Sequence, residues 1–183
     1  KMSVEEINEA IKTALTYDDY RYQKESGIKI TEPFRAEGLH KILYQCPACL
    51  TESKMSSEGC EIFCTECGKR WYQNEDGSLT AKEGETEISH IPDWFEWERA
   101  NVKKQIENGE YSFEDDVEVY SMPGCWKFEP LGMAKITHDP ENGFCIKGHY
   151  NDSDYVVERK PLQINSLHVE YDFQHIKPID CID

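Results

Sequence analysis

The sequence predicts an α+β chain: an N-terminal helical segment over residues 1–42, a cysteine-bearing unit over 43–82, and over 83–183 a helix packed on a small antiparallel β barrel or bent sheet. Three observations carry that prediction. Apolar residues near the start keep a helical 3-4 spacing, two C-x-x-C pairs sit in the middle, and the apolar period switches to two after Phe113. With 38% hydrophobic and 11% aromatic residues, 183 residues fill one ordinary domain or two small ones.

Residues 3–26 read as helical. Ser3 with Glu6 forms a capping box, and Val4, Ile7, Ile11, Ala14 and Leu15 share one face. Such a stripe is expected to pack into a core, with a partner interface as the lesser reading. Thr16 and Asp18 are the candidate caps of a second short helix that ends at Gly27. Residues 28–43 show no clear period, and Pro33 and Gly38 mark a connector.

In the cysteine-bearing unit, short strands are expected at 43–46, 60–64, 70–73 and 79–82, with a hairpin turn at Asp76-Gly77. Pro92 suits the first position of a helix over 93–108 that stops at Gly109. Phe95, Val102 and Ile106 are expected on its buried face, flanked by Trp94 and Trp97, an aromatic anchor for a sheet. From Phe113 the alternation gives five short strands: one around Val117 and Val119, then 126–137, 144–150, 155–158 and 167–173. The last carries Leu167, Val169, Tyr171 and Phe173 on one face. Turn signals at 123–124, 139–143 and 151–154 separate them in meander order. A barrel or bent sheet closed by the Trp-rich helix is the expected result.

The sharpest chemical signal is Cys46-Pro47-Ala48-Cys49, then 14 residues, then Cys64-Thr65-Glu66-Cys67-Gly68. Each pair places two sulfurs on one ion at about 2.3 Å, and two such turns at hairpin tips complete a tetrahedron. Pro47 stiffens the first turn, and Gly68 supplies the positive φ that the second favours. Four protein ligands leave no open position, so the expected cofactor is structural Zn2+ in a zinc ribbon, held by Cys46, Cys49, Cys64 and Cys67. An iron site of rubredoxin type is the lesser alternative, because the separation is short for it. A redox pair would want a βαβ context, and haem attachment a His after the second cysteine. Cys60 lies outside both turns. With Cys125, Cys145 and Cys181 it is read as an ordinary thiol, buried or half-buried.

The formal charge is −16, from 36 acidic against 20 basic side chains. Nucleic-acid binding begins with Lys and Arg displacing counterions from phosphates, so this balance opposes it. It equally opposes attachment to anionic lipid. Within 43–82, Lys54, Lys69, Arg70 and Lys82 face Glu52, Glu58, Glu61, Glu66, Glu75 and Asp76. The thiolates deepen that deficit. No apolar run approaches the roughly 18 to 20 residues of a membrane span, and no signal peptide opens the chain. A soluble, intracellular protein is expected. Lys1 stands before Met2, which suggests a piece of a longer protein.

Catalytic signals are weak. His149 and Asp154 keep the His-x4-Asp spacing of glycerolipid acyltransferases, in which the His serves as base on a substrate hydroxyl. Here the spacing falls in a turn between strands without a glycine-rich phosphate-binding segment, and is read as coincidence. His90, His138, His168 and His175 lack a paired nucleophile, and neither a P-loop nor a G-x-S-x-G motif is present.

Several segments together carry a resemblance: LTYDD at 15–19, FRAEGLH at 34–40, LYQCPAC at 43–49, GETEISHIPDW at 84–94, Trp97-Glu98, and SLHVEYD at 166–172. They resemble the C-terminal, zinc-ribbon-containing extension of bacterial 1-acyl-sn-glycerol-3-phosphate acyltransferase-like proteins, over nearly the whole chain. The resemblance implies a non-catalytic accessory domain of a phospholipid-synthesis enzyme. The four ribbon cysteines carry over as metal ligands, and no catalytic residue does, because the family's catalytic motif belongs to an upstream domain. That domain is the implied partner, with lipid or protein contact secondary and nucleic acid disfavoured. The implied place is the cytoplasm, peripheral to the inner membrane face through the parent chain. The rival reading is a stand-alone zinc-ribbon module for protein or RNA interaction.

Overall fold

The computed structural model describes residues 2–164, 168–170 and 181–182. In chain order the elements are α1 (Val4–Leu15), α2 (Asp19–Glu25), a 3-10 turn (Leu39–Lys41), β1 (Met55–Glu58), β2 (Glu61–Cys64), β3 (Arg70–Gln73), β4 (Leu79–Ala81) and α3 (Ile91–Asn108). There follow β5 (Phe113–Ser121), a 3-10 turn (Pro123–Cys125), β6 (Glu129–Asp139), β7 (Gly143–Tyr150), β8 (Ser153–Arg159), β9 (Val169–Glu170) and β10 (Cys181–Ile182). The chain divides into two compact units, residues 1–101 and 102–183. Among the described residues, no helix is long and apolar enough to cross a membrane.

The capping box at α1 forms as its sequence implies: the Glu6 amide donates to Ser3 Oγ at 3.2 Å, and the Ser3 amide to Glu6 Oε2 at 2.7 Å. Thr16 serves the other end of α1, its hydroxyl donating to the Lys12 carbonyl at 2.8 Å. Asp18 alone caps α2, taking the Arg21 amide at 2.9 Å. The apolar stripe does not enter a core. Val4, Ile7, Ile11 and Leu15 are 44–77% exposed, and α1 buries no residue. An amphipathic period fixes the helix but not what covers it.

The first sheet is an antiparallel meander in the order β1-β2-β3-β4. Its first strand corrects the sequence expectation. Residues 43–46 form no strand, and Gln45 makes only an isolated bridge to Glu52, because the chain turns immediately around the first cysteine pair. The edge strand is instead the polar stretch Met55–Glu58, paired with β2 from Met55↔Cys64 to Glu58↔Glu61. The core beneath this sheet holds Leu43, Cys46, Met55, Ile62, Cys64, Trp71, Leu79, Ile91 and Trp94. Trp71 and Trp94 meet edge to face at 5.1 Å between centroids.

The α3 helix therefore does supply an aromatic anchor for a sheet, and that sheet is β1-β2-β3-β4. Its buried positions are Ile91, Trp94 and Glu98, whereas Phe95 and Ile106 are exposed. The expected Phe95–Val102–Ile106 face is thus corrected by a rotation of about one position. The wide Trp94 side chain takes the central place, and residues four apart follow it.

In the second unit, β5-β6-β7-β8 is an open four-stranded antiparallel meander, not a barrel. Its register puts Val117, Ala134, Ile136, Ile146 and Val157 on one face, and Glu114, Asp116, Lys135 and Lys147 on the other. At the β6–β7 turn, Gly143 has φ +74°, and a Cβ there would collide with the Arg159 carbonyl oxygen, so this position requires glycine. Of the fifth expected strand, Val169 and Glu170 pair with Ile182 and Cys181. Leu167, Tyr171 and Phe173 lie outside the described residues.

Candidate metal centre

Two turns built to the same plan deliver the cysteines. In the first, the Leu50 amide donates to the Cys46 carbonyl at 2.8 Å and the Cys46 amide to the Thr51 carbonyl at 2.9 Å. In the second, the Gly68 amide donates to the Cys64 carbonyl at 3.0 Å and the Cys64 amide to the Lys69 carbonyl at 2.9 Å. Leu50 and Gly68 therefore occupy equivalent places, and both are left-handed, at φ 64° and 76°. This conformation is free for glycine but costs leucine about 1–2 kcal/mol.

That equivalence carries an expected result. Leu50→Gly should be neutral or stabilise the chain by up to about 1 kcal/mol, once the added freedom of the unfolded glycine is offset. Gly68→Ala should cost about 1 kcal/mol, from conformation alone, since a Cβ there meets nothing within 4 Å. Urea midpoints read both, and a Leu50→Gly loss above about 1 kcal/mol would break the equivalence.

The turns bring Cys46, Cys49, Cys64 and Cys67 into one cluster, their sulfurs all within 4.8 Å of one another. Cys46 Sγ lies 3.8 Å from Cys67 Sγ, and Cys49 Sγ 3.7 Å from Cys64 Sγ. A tetrahedron with metal–sulfur legs of about 2.3 Å has edges of about 3.8 Å. A disulfide needs about 2.0 Å, so these are separate thiols at the spacing a thiolate-bound ion demands. Four soft sulfur donors suit zinc or iron and leave no place for water or substrate. Bound there, an ion would supply a cross-link between the two turns.

Burial is uneven across the cluster: Cys46 and Cys64 are buried, Cys49 half-buried and Cys67 exposed. Burial pushes the Cys46 and Cys67 thiols up. The Thr51 hydroxyl and amide draw Cys49 down to about 6. Cys60 stands apart. Its sulfur receives a hydrogen bond from Arg35 Nη1 at 2.9 Å and lies 3.2 Å from the Pro33 carbonyl. Cys145 is a half-buried free thiol. The side chains of Cys125 and Cys181, and the whole of His175, lie outside the description.

His149 and Asp154 do meet, Nδ1 to Oδ1 at 2.8 Å, as cross-strand neighbours on β7 and β8. Both are exposed, which makes this a hydrogen bond at the surface. The other described histidines are likewise partnered: His40 with Ser57, His90 with Asp18, His138 with Tyr111, and His168 with Glu170. His90 and Asp18, 2.7 Å apart, tie the cap of α2 to the start of α3 beside a small polar cleft that includes Ser78 and Ser89.

Nothing local in the sequence marks Glu98 as buried. It is 1% exposed on α3 directly behind the first cysteine turn, and its Oε1 accepts the Gln45 amide at 2.8 Å. Burial lifts its carboxyl to about 7, against opposing hydrogen bonds from the Gln45 and Tyr44 amides. The folded state thus holds this proton more tightly than the unfolded chain, where the group titrates near 4.5. Stability from this group is full below about 4.5, falls as pH rises, and levels off above about 7. The full loss is on the order of 3 kcal/mol. Glu98→Gln should remove the effect, so the stability difference between wild type and variant should shift against wild type from pH 5.5 to 8. Thiolate protonation at the acid end is common to both proteins and cancels. Parallel profiles would refute the assignment.

No family model, no curated protein and no solved structure matches the chain.

Proposed function

We propose that residues 43–82 form a zinc ribbon whose single ion is structural, and that the chain is a non-catalytic accessory domain of a phospholipid-synthesis acyltransferase. The observation that carries the first half is the pair of sulfur separations at 3.7 and 3.8 Å in a closed four-thiol cluster. Zinc is favoured over iron by the short separation between the two turns. The ion orders a sheet of short strands whose own core is small.

The second half rests on the segments that resemble the C-terminal extension of bacterial 1-acyl-sn-glycerol-3-phosphate acyltransferase-like proteins. An accessory role also accords with the exposed setting of His149 and Asp154. Supplied with acyl donor and lysophosphatidic acid, the chain should form no phosphatidic acid. Turnover that vanishes in His149→Ala would make it an enzyme and overturn the proposal. Added to an acyltransferase domain of the resembled family, the zinc-loaded chain should form a complex, and absence of binding counts against the accessory role.

A second reading, an interaction module for protein with no lipid link, is favoured by one observation. The α1 helix presents Val4, Ile7, Ile11 and Leu15 to solvent, and such a stripe fits an apolar groove on another protein. The RNA form of that reading is opposed by the charge of −16.

A further inference from the structure

We propose that Trp94, Glu98 and Asn101 position the first metal-binding turn through Gln45, so that metal occupancy and the seating of α3 are one linked equilibrium. This inference rests on the metal reading above and adds residues that hold no ion themselves.

Gln45 immediately precedes the ligand Cys46, and α3 grips it from one side. Glu98 Oε1 accepts its amide at 2.8 Å, Trp94 Nε1 donates to its carbonyl at 3.0 Å, and Asn101 Nδ2 donates to its Oε1 at 2.8 Å. The three gripping residues are four and three positions apart, the spacing that aligns side chains on one helical face. The remaining end of Gln45 reaches across the turn: Nε2 donates to the Leu50 carbonyl and to Glu52 Oε1, each at 3.3 Å. One side chain thereby spans the entry and the exit of the turn that carries Cys46 and Cys49.

The site is buried, with Gln45 7% and Glu98 1% exposed. Moving the turn away from the ion strands the Glu98 carboxyl and the Trp94 indole. Moving α3 strands the amide and carbonyl of Gln45. Each buried polar group left unpartnered is costly, so either displacement opposes the other. A ligand that favours one arrangement of the turn must favour the matching arrangement of α3 to the same extent.

A second observation agrees. Glu98 Oε2 has no hydrogen-bond partner among the described residues. A leucine at this place in a tryptophan-lined core would avoid that burden. A carboxyl group kept there at a cost is explained by the amide it holds.

The test uses the full chain, loaded with zinc or with cobalt(II) as a spectroscopic probe. Glu98→Leu removes the acceptor, and zinc affinity measured against a competing chelator should fall about 10- to 100-fold, with a shift in the cobalt ligand-field bands. Glu98→Gln restores an acceptor of the same shape and should recover most of the loss. Glu96→Gln, on the exposed side of α3 beside Arg99, should change neither readout. If Glu98→Leu lowers the melting temperature of metal-free and zinc-loaded protein equally, with affinity and spectrum unchanged, Glu98 is only a core residue and the proposal is wrong. Should Glu98→Leu fail to fold, Asn101→Ala at a half-buried position decides. A several-fold loss of zinc affinity supports the linkage, and an unchanged affinity refutes it. Failure of the metal reading looks different: wild type itself then binds neither ion.

Discussion

Cys64→Ser should leave residues 43–101 without a folded sheet, even at saturating zinc. Cys64 sits at the end of β2, is fully buried, and holds the second cysteine turn against the core. Losing its thiol would remove one of the four proposed ligands and place a hydroxyl among apolar side chains. Structural zinc contributes about 10–16 kcal/mol to folding in small ribbons and fingers, comparable to or larger than the whole stability of a typical domain. The strands of this sheet are three or four residues long, so their own pairing cannot compensate. Amide dispersion and near-ultraviolet circular dichroism read the result. A variant that melts within about 5 °C of wild type would mean that the ion is not holding the sheet.

The second large effect is expected at Trp71. Trp71→Ala should destabilise the first unit by about 3–5 kcal/mol. The indole lies wholly buried in β3, meets Trp94 edge to face, and donates from Nε1 to Glu87 Oε2 at 3.1 Å. Truncation leaves a large cavity in the centre of the core and strips Glu87 of one of its donors. Trp126→Ala is the control: its side chain is 93% exposed, and the change should stay within about 0.5 kcal/mol. Urea denaturation compares the two, and equal effects would contradict the packing described here.

What the sequence made legible follows from how local each signal is. The capping box at Ser3 and Glu6, the glycine at 68 and the four-cysteine cluster depend on neighbours a few residues apart or on a strict spacing. These appear in the structure in the places expected. The failures share a different cause. The stripe of α1 specifies a helix, but what covers it depends on the rest of the molecule or on a partner, and the structure leaves it exposed. No strand forms at 43–46 because the Cys46 amide closes the cysteine turn and the Gln45 amide goes to Glu98, and the polar run at 55–58 supplies the edge instead.

The buried face of α3 illustrates the same limit. Phe95, Val102 and Ile106 look like the apolar face, yet Trp94 and Glu98 occupy the core. A glutamate reads as solvated on any helix, and only the arrival of the Gln45 amide from 53 residues away gives it a reason to be inside. Long-range polar contacts of this kind leave no periodic trace in a sequence. The open meander in place of a barrel is likewise a question of closure, which strand alternation does not encode.

Elemental analysis of the purified full chain tests the account at its root. Four thiolates at tetrahedral spacing predict one zinc ion per chain, retained through gel filtration and released together with the fold of β1–β4 on chelation. A chain that keeps this sheet while carrying no stoichiometric metal would contradict it.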